Sequence, residues 1–219
     1  LTSQHSMLED TIQRLTGCCD AITIIGSQQH QHLLTQYDQS ASNVSVLLEP
    51  CSRNTAPCIA WAVAEISRKD PSANCLIVAA DHYIKDTQSF CEQAQLSLDY
   101  CSDHSSLITF GIPTLSPHTG YGYIEIEDSE ESFHPVSAFH EKPHEDNAKL
   151  FHQSERYYWN SGMFVVSASF LNTLYQRYLP LHFNLAHQLL DKTGDDFNQL
   201  FEQFESVSID YGILEKCAN

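Results

Sequence analysis

The 219-residue chain is short of positive charge: 11 Lys and Arg stand against 28 Asp and Glu, a formal charge of −17. It has no basic stripe, which argues against nucleic acid as a partner. An anionic substrate would need a divalent cation and a few well-placed Arg and Lys residues to screen that charge. No apolar run approaches the roughly 18 residues of a membrane-spanning helix, so no membrane partner is expected. The opening residues, LTSQHSMLED, carry neither a basic stretch nor an apolar stretch of the signal-peptide kind. They also lack an initiator Met, so the chain is expected to start inside a longer protein.

Further absences remove whole chemistries. None of the eight cysteines forms C-x-x-C, and their spacing matches no zinc site. Several, such as Cys58 and Cys75, sit in apolar runs and read as reduced thiols of a cytoplasmic protein. HQH at 30–32 reads as a solvated helix face rather than a metal site. There is no G-x-G-x-x-G: GYGYIE (120–125) lacks the third glycine and opens a strand, which argues against a dinucleotide-dependent dehydrogenase. There is no G-x-x-x-x-G-K-[ST] for a P-loop and no G-x-S-x-G for a hydrolase elbow.

What is present is an alternation. Ser6 followed by Glu9 is a capping box that starts a helix. AITIIG (21–26) reads as a strand, 27–37 as a polar helix, and NVSVLLEP (43–50) as a strand ended by Pro50. In NTAPCIAWAVAEISRKD, Asn54 or Thr55 can cap a buried helix with Pro57 in its first turn. The apolar run from Cys75 follows, then a helix near 88–101 and the strand LITFGI (107–112). This predicts an α/β fold: a mostly parallel sheet with helices on both faces. GYGYIEIED and FHPVSAFHEKP, separated by the acidic turn DSEES, predict a small antiparallel excursion. A helix near 145–154, a short strand at GMFVVS and a helix-rich stretch from Ser169 to Phe204 complete a single domain over 1–219.

Sheets of this kind bind ligands at the carboxyl ends of their strands. In CLIVAADHYIKD (75–86), Asp81 stands at such an end, as do Glu49 and Gly111. Asp81 therefore either floors a ligand crevice or caps and anchors the next loop. Arg53, Asn54 and Thr55 precede a helix N-terminus, a place that suits an anion or a purine edge, and equally an ordinary capping loop. Glu141 and Lys142, in FHEKPH, suit sugar hydroxyls and a phosphate, or form a solvated charge pair. Asn160 lies among the aromatic residues of YYWNSGMF and must find a hydrogen-bond partner in backbone or ligand.

In this order EPCSRNTAP, AADH, FGIPTLSPHTGYGYI, FHEKP, YYWNSGMF and SIDYGILEK closely resemble the mannose-1-phosphate guanylyltransferase family, of the bacterial type often fused to a phosphomannose isomerase. The resemblance runs from SMLEDTIQRLTG to the C-terminus. It implies a Rossmann-like sugar-nucleotidyltransferase fold and a Mg²⁺-dependent reaction of mannose 1-phosphate with GTP, giving GDP-mannose and pyrophosphate, in polysaccharide biosynthesis. It implies Asp81 as the Mg²⁺ ligand and, with Lys142 at the sugar phosphate, as the catalytic pair. Arg53, Asn54 and Thr55 are implied at the nucleotide, and Tyr121, Gly122, Glu141 and Asn160 at the sugar. Asp210 and Lys216 match family positions without an assigned role, and Asp210 can equally cap a short helix. A homodimer is left open.

The same resemblance exposes two gaps. The family opens with a Gly-rich loop, G-G-x-G-T-R-x-W-P, then P-K-Q-F, and continues past SIDYGILEK to G-W-x-D-V-G-S-W, whose Asp shares the Mg²⁺. Neither stretch is present here. Cys51-Ser52 replaces a small residue and Gly, and Ala79-Ala80 stands where Pro is common. The loop should carry a central strand, whose loss leaves an unpaired edge. The expectation is that the chain by itself turns over weakly or not at all. The alternative is a non-catalytic remnant or an assembly partner that still binds sugar phosphate.

Overall fold

A computed structural model describes residues 5–38, 43–129 and 132–218. The N-terminal LTSQ and two glutamates of the acidic turn, residues 130 and 131, lie outside the described residues. Helix α1 (Met7–Leu15) begins where the capping box places it: Ser6 Oγ accepts from Glu9 N, and a Glu9 carboxylate oxygen accepts from Ser6 N. Strand β1 (Ile22–Ser27) leads through a short 3-10 turn into α2 (Gln31–Asp38) and β2 (Val44–Glu49). Helix α3 (Thr55–Lys69) is capped by Asn54 and buries Ile59, Ala60, Trp61, Ala62, Val63 and Ala64. Its near-continuous burial follows from a sequence apolar on almost every side.

After α3 come β3 (Asn74–Ile77), α4 (Thr87–Asp103) capped by Asp86, and β4 (Leu107–Pro113). The excursion is the hairpin β5 (Tyr123–Ile126) and β6 (Val136–His140), antiparallel and with a bulge near Ile126. Helix α5 (Glu145–His152) precedes β7 (Tyr157–Ser167), and α6 (Ala168–Tyr178), α7 (Pro180–Leu189) and α8 (Gly194–Phe201) follow. A π-helical turn at Asp210–Leu214 runs into the short α9 (Glu215–Ala218).

The α/β class stands, but the ladders are distributed differently from a simple alternation. Among the described residues, only β1 and β2 form a parallel pair. The second sheet is built on β7, to which β3, β4 and β5 all pair antiparallel. β3 and β5 share one edge of β7 and β4 takes the other, so β3 and β4 run parallel to each other with β7 reversed between them. β7 is also longer than GMFVVS suggests, because Tyr157, Tyr158 and Trp159 pair with β5 on one side while Tyr158–Asn160 pair with β4 on the other.

Side chains alternate across the sheet with period two. Cys75, Phe164 and Val166 pack with α3, α6 and α7, whereas Leu76, Val78 and Met163 pack with Leu15 of α1 and Phe90 of α4. Helices therefore lie on both faces.

The two sheets do not join. β1 pairs only with β2 and β3 only with β7, so each keeps one unpaired edge among the described residues. Both edges line one cavity of about 1220 Å³, with α1 on one face and α3 on the other. This explains why CLIVAA, which reads as a core strand, buries only Cys75 fully, while Leu76, Ile77 and Val78 are half-buried and Ala79 and Ala80 exposed.

Candidate functional site

β7 places Asn160 between β4 and the turn before β5: it pairs with Gly111 on one side, and its N–H donates to the Gly122 carbonyl at 2.8 Å on the other. Its side-chain carbonyl accepts from Thr109 Oγ1 at 3.3 Å and from Gly162 N at 3.2 Å. Its amide donates to Asp210 Oδ1 at 2.8 Å. A carboxylate offers only acceptors, so these partners fix which way the amide points. Two acceptor positions and one N–H are used, leaving the second N–H free for a ligand.

Glu141 closes the same corner. A Cβ on Gly122 would lie 2.5 Å from Glu141 Oε2 and 3.5 Å from the Asn160 Cβ, so only glycine leaves the carboxylate where it is. Glu141 is 12 % exposed and pairs with Lys142 Nζ at 3.2 Å. Lys142 itself sits at φ +46°, a left-handed conformation that costs a non-glycine residue about 1 kcal/mol. Tyr121 stacks on His118 with ring centres 4.2 Å apart and meets Trp159 edge-on at 5.2 Å. The turn carrying it is held by buried Tyr123, whose hydroxyl donates to the His118 carbonyl at 2.9 Å. The corner is thus a carboxylate, an amide N–H and an exposed aromatic ring around a glycine, a set suited to a polyhydroxyl ligand, with an ammonium beside it for an anion.

The segment before α9 ties this corner to α3. Ala56 N donates to the Val207 carbonyl at 3.1 Å, and Ile209 N donates to Thr55 Oγ1 at 2.9 Å. Asp210, one residue on, reaches Asn160. It makes no capping bond to the turn it begins, so the capping alternative gives way to a partner of Asn160. Asn54, at φ +67°, uses its side chain on Thr55 N at 2.8 Å. Arg53 donates from Nη2 to the Glu202 carbonyl at 2.7 Å, and its Nε is buried without a partner. The loop is therefore knitted to the protein, and fewer of its N–H groups face a ligand than the sequence suggests. Beside it, Glu49 Oε1 is buried without a partner, and burial pushes this carboxyl up to about 7.

Asp81 follows β3 in an exposed turn. α1 grips the backbone on either side: Thr11 Oγ1 donates to the Ala80 carbonyl at 3.3 Å, and Arg14 donates to the His82 carbonyl at 3.3 and 3.4 Å. Ala80, His82, Ser161 and Asp210 line one cavity, which brings the Asp81 turn and the Asn160 corner to its same end. No group of three or more His, Cys, Asp and Glu is arranged to hold a metal ion among the described residues. An exposed carboxylate does fit Mg²⁺, which usually takes one or two protein carboxylates and completes its shell with water and substrate phosphate. Lys216 is exposed on α9, and the bonds that build this corner run through Asp210 rather than through it. Thr109 and His118 are the participants that sequence reasoning passed over. A Thr whose hydroxyl points at a neighbouring strand has no local signal.

The nucleotidyl transferase family model matches residues 1–203, and the chain belongs to that family. Its relatives are narrower in kind. It is 33% identical over 232 aligned residues to the mannose-1-phosphate guanylyltransferase of Klebsiella pneumoniae, a match covering 100% of this chain and 49% of that protein. Among solved structures, mannose-1-phosphate geranyltransferase from Thermus thermophilus superposes with a TM-score of 0.87 at 27% identity, covering 97% of this chain and 62% of that one. Mannose-6-phosphate isomerase from Helicobacter pylori superposes with a TM-score of 0.84 at 27% identity, covering 98% and 86%. The chain spans about half the length of the curated relatives it matches. No described helix is long and apolar enough to cross a membrane.

Proposed function

We propose that this chain carries the sugar-phosphate side of a guanylyltransferase site, which joins mannose 1-phosphate to GTP and releases pyrophosphate. The observation that supports it is the convergence of Gly122, Glu141, Lys142 and Asn160, with Asp210 fixing the Asn160 amide. Glu141 accepts from sugar hydroxyls, and the free Asn160 N–H donates to one. Tyr121 covers a face of the ring. Lys142 neutralises the sugar phosphate while one of its oxygens attacks the α-phosphorus in line. Most of the acceleration in such a step comes from positioning and charge neutralisation. Asp81 would hold Mg²⁺, which supplies charge neutralisation at the phosphates. Arg53, Asn54 and Thr55 lie at the nucleotide in this reading.

Residues 1–219 by themselves turn over weakly or not at all in this reading. Arg53 is held on the Glu202 carbonyl, and a triphosphate must approach a chain of charge −17. The split sheet also favours a second reading, an assembly partner that keeps sugar-phosphate binding. Titration calorimetry with mannose 1-phosphate and MgCl₂ tests the shared part. Saturable binding, weakened roughly 10- to 100-fold by Asn160→Ala and by Glu141→Gln, is expected from the loss of one hydrogen bond to a charged or buried partner. Absence of saturable binding, or equal binding of glucose 1-phosphate, would overturn it. Pyrophosphate release from GTP that depends on mannose 1-phosphate, at high enzyme concentration, would exclude the assembly-partner reading.

A further inference from the structure

The turn that joins β4 to β5, residues 114–122, carries Tyr121 and Gly122 into the sugar-phosphate corner. Its last part is shaped around His118. The buried Tyr123 hydroxyl clamps the His118 backbone twice, accepting from His118 N at 3.0 Å and donating to the His118 carbonyl at 2.9 Å. From that fixed point the imidazole reaches forward. Gly120 N donates to its Nδ1 at 3.0 Å, and Tyr121 stacks on the ring with centres 4.2 Å apart and 17° between the planes. The backbone closes on the ring so tightly that a Cβ on Gly120 would lie 2.9 Å from His118 Cε1. Gly122, the residue after Tyr121, is then anchored through its carbonyl to Asn160 N.

A backbone N–H only donates, so Nδ1 is the accepting nitrogen and the proton of the ring sits on Nε2. A protonated imidazole carries donors at both nitrogens. Its Nδ1–H would face Gly120 N–H, donor against donor, and the bond is lost. The imidazolium would still lie against Tyr121, because a cation is attracted to an aromatic face. Protonation therefore removes the hold on the Gly120 backbone and keeps the ring contact. His118 is exposed, so its proton exchanges freely with solvent. The titratable groups around this turn are Tyr121 against the ring, Tyr123 of β5 at its backbone, Glu141 against Gly122, and His152 of α5, which meets Thr114 Oγ1 at 3.1 Å. β7 contributes Trp159, which does not titrate.

We propose that His118 is a positioning residue of the sugar-phosphate corner: its neutral Nε2–H form fixes the turn that presents Tyr121 and Gly122, and protonation releases that turn. The role rests on the reading of this corner as a mannose 1-phosphate site. His118 acts through the Gly120 backbone rather than by touching the substrate, so binding of the sugar phosphate follows the protonation state of a ring outside the contact set.

The full chain, His118→Asn and His118→Phe separate the bond from the ring. Asparagine can accept from the N–H two residues on with its side-chain carbonyl, and it does not titrate. Phenylalanine keeps a ring for Tyr121 and offers no acceptor. Calorimetry with mannose 1-phosphate and MgCl₂ is run at about pH 8 and at about pH 5.8, a span over which imidazoles take up a proton. The lower value stays above the pI of the chain, about 4.9. At the higher pH His118→Asn should bind within about threefold of the unaltered chain, and His118→Phe about three- to tenfold more weakly, as expected for one lost neutral hydrogen bond. At the lower pH the unaltered chain should weaken by about twofold or more relative to His118→Asn. The ligand phosphate, Glu141 and His152 are common to all three proteins, so their titration cancels in that ratio. Nitrogen NMR of the histidine-labelled chain, with the His118 signals identified by their loss in His118→Asn, should show the Nε2–H tautomer at the higher pH without any ligand. A ratio that stays constant between the two pH values, full binding by His118→Phe, or the Nδ1–H tautomer overturns the positioning role alone. Mannose 1-phosphate that binds the unaltered chain at neither pH overturns the sugar reading and this role with it.

Discussion

The bond between Asn160 and Asp210 carries the most specific prediction. It is an amide N–H to carboxylate contact of 2.8 Å in a part-buried setting, joining residues 50 positions apart. Hydrogen bonds to charged groups contribute about 1.5–3 kcal/mol. Partial exposure puts this one near the lower end, at about 1.5 kcal/mol. A double-mutant cycle with Asn160→Ala, Asp210→Ala and the pair, followed by urea unfolding, should give a coupling energy of about 1–2 kcal/mol. The same bond should appear in ligand binding. Without Asp210 the amide N–H loses the acceptor that orients it, and the second N–H is no longer held toward the sugar. Asp210→Ala should weaken mannose 1-phosphate about tenfold although Asp210 itself need not touch the ligand, and in Asn160→Ala the added Asp210 change should then have little effect. A coupling energy below about 0.5 kcal/mol, or additive losses in binding, would refute the orienting role.

Three further outcomes are expected. Glu49 has a folded carboxyl value of about 7 against an ordinary 4.5, so the folded state holds a proton that the unfolded state gives up between those values. Stability should fall as pH rises from about 4.5 to 7, and Glu49→Gln should raise Tm at pH 8 while changing little at pH 4; an equal shift at both would count against the burial argument. Gly122→Ala meets only the end of the Glu141 side chain, so unfolding free energy should fall by less than about 1 kcal/mol while mannose 1-phosphate binding falls tenfold or more, measured by calorimetry on the folded variant. Lys142→Gly relieves a left-handed backbone and should stabilise by roughly 0.5–1 kcal/mol in urea, yet weaken the sugar phosphate far more than free mannose.

Features fixed by near neighbours were legible in the sequence. The Ser6–Glu9 capping box, Asn54 before α3 and the hairpin around the acidic turn all depend on residues a few positions apart. The site residues were legible only as a series, since each alone reads equally well as a cap or a solvated charge. What was not legible depends on distant strands. The reversal of β7 between β3 and β4 turns an expected parallel ladder into antiparallel pairs. The role of Asp210 needs a residue on β7, 50 positions away, and the hydrogen bond of Arg53 needs a carbonyl 149 positions away.

The unjoined sheets also bear on how the molecule comes apart. One apolar cluster gathers α3, β7 and the C-terminal helices around Phe164, Leu171 and Phe201, while a smaller one joins β1, β2 and α1 through Ile22, Ile24 and Leu15. Among the described residues no backbone ladder crosses between the sheets, so they share side-chain packing but not a continuous hydrogen-bonded frame. The smaller cluster should open at lower denaturant as its own cooperative unit, giving a biphasic urea curve and earlier amide exchange in β2 than in β7. A single melting temperature would then describe neither half, and stability would be a property of each cluster rather than of the chain.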